Sequence, residues 1–426
     1  TGQQVPLGAT QPVDGEALQT AALIDWPESG RAKYQLFKAL YDDFAARDLA
    51  AETSLAADFR GFVGERGHHL REHATFESLH AHCYAAGAGA WFWRDWPAEF
   101  RDATSAEVKE FAGEHAQQIQ FHMFLQWIAD RAFALAQRDL RDAGMRIGTI
   151  ADLAIGIDSG GSHAWARQRD LLLGLKVGAP PDLINTQGQD WGLTAFSPSA
   201  LIENGYEPFI ATLRANMRNA GGIRIDHAMG LMRLWLIPAG TEGAEGAYLT
   251  YPLDDLLNLV ALESSRHNAV VIGEDLGTVP PEFRERLSAA GIAGMDVLWF
   301  EKDGTEFKAP NTWRPDAVGM TTTHDLPTVA GWWRGADIRQ RDSLGLVDDA
   351  AQEKRARAKE RKALWGAFVG AGCASGCARD TVGKAAPAVG DGGVMALAPA
   401  WRRGRVPDRN AGEPDRREPA APAGSA

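Results

Sequence analysis

Ala269-Val270-Val271-Ile272-Gly273-Glu274-Asp275-Leu276-Gly277 decides how the chain is read. Four apolar residues, three of them β-branched, lead almost directly into a carboxylate. A run that is apolar at every position has no face left for water. It therefore predicts a strand covered on both sides, as in a parallel sheet. Two other stretches repeat the arrangement. Arg224-Ile225-Asp226-His227 follows Gly221-Gly222, and Thr323-His324-Asp325-Leu326-Pro327-Thr328 follows the apolar segment that opens at Val318. About fifty residues separate each acid from the next. That is room for a strand, a helix and two loops with insertions. Active sites of parallel β/α proteins form where successive strands end, so three acids distant in sequence are expected to share one pocket.

The surrounding pattern agrees. Met145 to Leu153 reads as a strand carrying Asp152, and Phe209, Ile210, Leu213 and Met217 form the apolar stripe of a helix. Leu253, Leu256, Leu257, Val260 and Ala261 outline the next helix, and Pro280-Pro281 opens another that closes at Gly291. Val297 to Phe300 and Val318 to Thr323 read as strands. Five strands alternating with helices predict an α/β chain of the TIM-barrel type. Residues 180–192 read as a turn-rich loop. Between Arg31 and Gly144 the period is helical, with Phe124, Trp127, Ile128 and Leu135 at three- and four-residue steps. The expected division is a loop and helical insertion over residues 1–144, a catalytic barrel segment over 145–370 and a low-complexity, disordered tail over 371–426. The tail is rich in Ala, Gly, Arg and Pro and buries too little apolar surface to offset its ordering entropy.

With 426 residues and a 45% apolar fraction, the chain can build a large core. A net charge of −12 argues against nucleic acid and anionic membrane as partners. No apolar run approaches membrane-spanning length, and the first thirty residues lack a signal-peptide pattern. Three cysteines give neither a disulfide framework nor a zinc pattern, so a reducing cytoplasm is the expected compartment. Fourteen tryptophans are many. The cluster Trp91 to Pro97 is expected to pack between helices, whereas Trp191, Trp332 and Trp333 lie near the acid-bearing stretches and suit stacking on a sugar face.

Paired carboxylates across a pocket are the equipment of glycosidic bond chemistry, one acting as nucleophile or base and the other as proton donor. A third acid can stabilise an oxocarbenium-like transition state. Arg224 lies two residues before Asp226 and so points to the same side of a strand, where a guanidinium favours the charged carboxylate that a nucleophile requires. Glu274, ending an apolar strand, suits a proton donor. His227 and His324 are placed to bond sugar hydroxyls. A single acid after a strand is more often a helix cap or turn residue, and Asp275 fits that description. Three such acids with an arginine and two histidines reverse the balance. Three barrel acids also suit Mg²⁺-assisted proton abstraction, but that chemistry calls for closer spacing and a base opposite, and no lysine stands at a corresponding strand end.

From Phe121 to Gly345 the chain resembles the 4-α-glucanotransferases, also called amylomaltases or disproportionating enzymes. The resemblance rests on Leu125-Gln126-Trp127, Asp152-Leu153-Ala154, Gly178-Ala179-Pro180-Pro181-Asp182, Gly188-Gln189-Asp190-Trp191-Gly192 and the three acid-bearing stretches, all in order. It implies a (β/α)₈ barrel in which Asp226 is the nucleophile, Glu274 the acid/base and Asp325 the stabiliser. Arg224, His227, His324, Asp152 and Asp182 would bind substrate. It further implies a maltooligosaccharide or α-1,4-glucan as donor and acceptor, a retaining double displacement, and no metal or organic cofactor. The resemblance weakens at both ends. Two barrel strands are expected upstream of Thr1 and an eighth in place of the tail, so the barrel is expected to be incomplete. A carbohydrate-binding remnant that keeps the site residues is the rival outcome.

In a glucan complex, a retaining mechanism predicts the Asp226 and Glu274 carboxyl groups about 5–6 Å apart, which a crystal structure checks; a separation beyond about 9 Å contradicts it.

Overall fold

The computed structural model describes residues 15–20, 23–85, 91–181, 187–277 and 279–371. Asp182 and the tail from residue 372 lie outside the described residues. The chain divides into two compact units, Thr1–Val271 and Ile272–Ala426.

In the first unit, the helical reading holds and starts earlier than expected. The helix Trp26–Phe44 opens five residues before Arg31, because the Asp25 side chain accepts the Glu28 N–H at 3.0 Å and Pro27 takes the first turn. Ser54–Ala85 is two helices joined at Gly67, where φ is +58°. Ala106–Glu114 and Ala116–Asp142 complete the bundle, and Gly144, at φ +91°, ends the last helix as its sequence suggests. Aromatic rings fill the space between these helices. Tyr41 meets Phe121 edge-on at 5.5 Å, and Phe44 lies 5.3 Å from Trp127, within a cluster that includes Phe59, Leu70 and Phe124. Each fully buried ring contributes about 2–3 kcal/mol of transfer free energy. Of the helical stripe only Leu135 faces water.

A second aromatic cluster joins the helices to the segment that follows. Trp93 and Trp96 are buried with Phe76, Leu79, Phe111 and Trp165, while Trp91 and Phe92 of the same cluster stay half exposed. Trp93 donates its indole N–H to the Ser159 carbonyl at 3.0 Å, and Trp165 donates to the Phe100 carbonyl at 2.9 Å. Cys83 sits in this cluster, and burial pushes its thiol up to about 11, so it is an inert packing residue.

The strand Ile150–Leu153 pairs in parallel with Gly222–Ile225, which places Asp152 opposite Arg224. The first strand is shorter than expected because residues 145–149 are irregular, with a bend at 146–147. Val270, opening the strand Val270–Gly273, donates to the Gly221 carbonyl at 2.9 Å. Gly221 cannot be replaced, since a Cβ there would lie 1.7 Å from the Ile147 carbonyl oxygen. The helices Glu207–Met217 and Leu253–His267 are held together by Arg214, whose Nε and Nη2 each reach the buried Glu263 carboxylate at 3.0 Å.

Residues 180–192 are not simply a loop. Gln189–Thr194 is a strand in a five-stranded antiparallel sheet with Ile157–Asp158, Leu175–Ala179, Arg233–Pro238 and Ala247–Thr250. Its glycines conceal it, because Gly178 sits at an irregularity in the pairing where a Cβ would lie 1.9 Å from the Gln189 carbonyl oxygen.

In the second unit, Gly273 donates to the Ala293 carbonyl at 2.8 Å, and Gly294–Val297 pairs in parallel with Ala317–Met320. The expected strand at residues 297–300 therefore lies three residues upstream. Leu298 still donates its N–H to the Met320 carbonyl at 2.9 Å, and its side chain, with that of Trp299, packs with Phe307, Trp332 and Leu364. Trp332 stacks on Trp299 at 4.5 Å and takes the Arg357 guanidinium on its face at 4.4 Å. Trp332 and its partly buried neighbour Trp333 are thus core residues, not sugar platforms. Pro281–Ala289 is the expected helix, and Ala350–Gly370 adds one that the sequence reading left undescribed.

Arg314 organises the strand ends of this unit. It reaches Asp275 at 2.5 and 3.1 Å and Asp296 at 2.7 Å, while Asp275 also accepts the Met295 N–H at 2.9 Å. Burial alone would raise the Asp275 pKa, but the Arg314 and Met295 hydrogen bonds, with the charges of Arg314 and Arg284, hold it below the usual carboxylate range. The stabilisation is complete above about pH 4 and is lost as pH falls through the depressed folded value. Arg314→Met removes the guanidinium that Asp275 and Asp296 share, leaving Asp275 with Arg284 and both acids with backbone N–H donors, and should cost about 3–5 kcal/mol, read as a lower urea midpoint by tryptophan fluorescence.

Candidate active site

The sequence-predicted residues of the first unit meet around one arginine. Parallel pairing puts Asp152 and Arg224 side by side, and the two-residue step puts Asp226 on the same side as Arg224. Arg224 Nη1 donates to Asp152 Oδ1 and Nη2 to Asp226 Oδ1, both at 2.7 Å. The guanidinium is 12% exposed, against 48% for Asp152 and 32% for Asp226, so a cation lies beneath two carboxylates that solvent can reach. Burial works to lower the Arg224 pKa, and its bonds to Asp152 and the charges of both acids outweigh it and raise the value. The Asp226 N–H donates to the Leu153 carbonyl at 3.0 Å, which continues the ladder to the acid and fixes its backbone.

The chain turns sharply after Asp226. His227 adopts φ +44° and ψ +58°, a left-handed conformation uncommon outside glycine, and starts the short 3₁₀ helix Ala228–Leu231. The Trp191 ring meets the imidazole edge-on at 5.3 Å. Burial pushes the His227 pKa below its ordinary value against the pull of Asp226, which keeps the ring neutral and able to both donate and accept hydrogen bonds. Asp226 and His227 border a cavity of about 350 Å³ whose other walls are mostly apolar, among them Leu153, Ile155, Phe196 and Tyr251.

In the second unit, Glu274 directly follows its strand, is half buried, and accepts the Leu276 N–H through Oε1 at 2.7 Å. Neighbouring Asp275 points the other way, into the Arg314 cluster, and is a structural residue. The strand before Asp325 ends at Met320, so Asp325 stands five residues beyond it in an exposed loop. There His324 Nε2 lies 3.3 Å from Asp325 Oδ2, and both side chains are about two-thirds or more exposed. Thr322 donates to the Pro327 carbonyl at 2.9 Å and Thr328 caps the helix Val329–Arg334, which ties down both ends of the loop. Trp191 as the support of His227, and Arg314 with Asp296 behind Asp275, emerge only from the structure. Nothing in the periodicity marks an arginine in a polar loop as the partner of two strand-end acids.

The family model of the 4-alpha-glucanotransferases matches residues 7–382. The chain belongs to this family. It is similar to the 4-alpha-glucanotransferase of Mycobacterium tuberculosis, 41% identical over 327 residues that cover 75% of this chain and 43% of that protein. The Haemophilus influenzae 4-alpha-glucanotransferase is 31% identical over 82% of this chain and 50% of its own length. Among solved structures, the amylomaltase of Corynebacterium glutamicum superposes with a TM-score of 0.69 at 34% identity, covering 85% of this chain and 49% of that one. An amylomaltase of Streptococcus agalactiae, solved with acarbose, gives 0.65 at 16% identity, 79% and 69% coverage, and shows likeness of fold. The chain spans about half the length of these two curated relatives. Its fold is the α/β, TIM-barrel fold of the amylomaltases.

The left-handed backbone at residue 227 gives a stability test. His227→Asn should unfold with the parent, whereas the β-branched His227→Val should lose about 1–2 kcal/mol in urea denaturation.

Proposed function

We propose that this chain carries the catalytic side chains for retaining transfer of α-1,4-glucan segments between maltooligosaccharides. In this reading Asp226 attacks the anomeric carbon of the donor while Glu274 protonates the departing glycosidic oxygen. The resulting ester between the glucan and Asp226 is then attacked by an acceptor hydroxyl whose proton passes to Glu274. Two inversions at one carbon give net retention. Asp325 lowers the energy of the positively charged transition states through its carboxylate. Arg224, His227 and His324 hold the donor sugar, and Asp152 and Asp182 are further substrate-binding acids. The helical insertion over 1–144 and the barrel segment over 145–370 belong to the same reading, as does a cytoplasmic location. Among the described residues, no helix is long and apolar enough to cross a membrane.

The observation that carries the proposal is Arg224 bonded at once to Asp152 and Asp226 at a strand end. Such a bridge orients one oxygen of a partly exposed carboxylate without covering it. Family membership supports the substrate class, since the Mycobacterium tuberculosis and Haemophilus influenzae relatives are named 4-alpha-glucanotransferase.

Asp226→Asn should lower maltotriose disproportionation by about four orders of magnitude. Retention of more than about a tenth of the activity would place the nucleophile elsewhere. Glu274→Gln should be comparably damaging with maltotriose, and should recover partially with a maltosyl fluoride donor, whose leaving group needs no proton.

A further inference from the structure

Far from the acid-bearing stretches along the chain, the break at Gly67 restarts the long helix with two adjacent histidines. The rings of His68 and His69 approach within 3.9 Å between centroids, and Glu72 follows one turn later. Ligand atoms of His68, His69 and Glu72 all lie within 4.8 Å of one another. Residues one apart on a regular helix point about 100° away from each other, so the grouping depends on the break. Glu207, which opens the helix Glu207–Met217, brings its Oε1 to 3.2 Å from His69 Nε2.

We propose that His68, His69 and Glu72 form a binding site for a divalent transition-metal ion of the zinc class, with Glu207 positioned as a fourth ligand. Two imidazoles and one or two carboxylates are a donor set suited to Zn²⁺ or Ni²⁺, and Mg²⁺ and Ca²⁺ prefer oxygen alone. In a tetrahedral shell with bonds of about 2.0–2.1 Å the ligand atoms sit about 3.4 Å apart. Closing the present grouping to that spacing requires side-chain rotation only, because His68 and His69 are exposed.

One neighbour opposes the ion. Arg167 Nη2 lies 2.9 Å from His69 Nδ1 and 3.3 Å from Nε2, and it would have to give up both contacts. The guanidinium keeps two other partners, Glu207 at 3.2 Å and Asp170 at 3.6 Å. Two carboxylates beside the rings, Glu72 and Glu207, stand against one guanidinium, which Asp170 also draws toward itself. The site has no part in the proposed glucan chemistry. Its effect would be to clamp the helix restart to the helix that begins at Glu207.

Isothermal titration of the chain with ZnCl₂ tests the proposal, with MgCl₂ as the comparison. The expected result is one saturable equivalent of zinc that magnesium does not reproduce. Affinity should fall about tenfold or more in His68→Ala and in Glu72→Gln, and should be unchanged in Glu65→Gln, an exposed acid on the same long helix. Affinity in both site variants equal to that of the parent chain, or no saturable zinc binding below about 1 mM, would overturn it.

Discussion

Both units solve one electrostatic problem in the same way, with a guanidinium held between carboxylates near the ends of parallel strands, and the rest of each unit depends on that bridge. In the first unit Arg224 lies between Asp152 and Asp226. In the second, Arg314 lies between Asp275 and Asp296. The difference is exposure. Asp275 and Asp296 are 1% and 4% exposed and have their oxygens taken up by Arg314, Arg284 and backbone N–H groups. Asp152 and Asp226 present a third to a half of their side chains to solvent. The same motif is structural where it is closed and is available to a ligand where it is open.

The two-residue repeat of a strand end explains which acids can serve. Glu274 and Asp275 are neighbours just beyond a strand end, and their carboxylates take different partners, the Leu276 N–H and Arg314. One reaches Arg314 and is lost to the interior, which leaves the other to face outward. Arg224 and Asp226 are two apart and share a side, so the arginine can bond the acid it follows. The left-handed turn at His227 then redirects the chain at once, with Trp191 packed against the ring. Backbone strain at that point is held by the surrounding packing and keeps a neutral imidazole beside the carboxylate.

Four of the parallel strands were legible because each lies in a short apolar run that ends near an acid, and they overlap the expected ones; the fifth, Gly294–Val297, lies three residues upstream of the expected run. Errors of position have physical causes. Val297 to Phe300 is the most apolar run in its region, yet the strand is Gly294–Val297, whose one charged residue, Asp296, is masked by Arg314. The antiparallel sheet was illegible because Gln189–Thr194 carries Gln, Asp and Gly where alternation would be sought, with Lys176 pairing Asp190 at 2.7 Å. Trp332 and Trp333 follow the Asp325 loop closely in sequence but pack with Trp299 and Leu364. Of the eight candidate site residues, Asp152, Arg224, Asp226 and His227 lie on one short stretch of paired backbone. Glu274, His324 and Asp325 occupy strand-following positions of the second unit, and Asp182 lies outside the described residues.

The account turns on Asp226 as the atom-bearing nucleophile, and covalent trapping tests that most directly. Glu274→Gln protein is mixed with a maltosyl fluoride donor, quenched in acid and analysed by intact mass and peptide mapping. Formation of the ester needs no proton donor with this leaving group, whereas its breakdown lacks a base, so the adduct should accumulate. The account predicts one maltosyl unit per chain, attached to the peptide that contains Asp226. An adduct mapped to Asp152, Asp325 or any other side chain, or transfer products formed with no adduct at all, would contradict it.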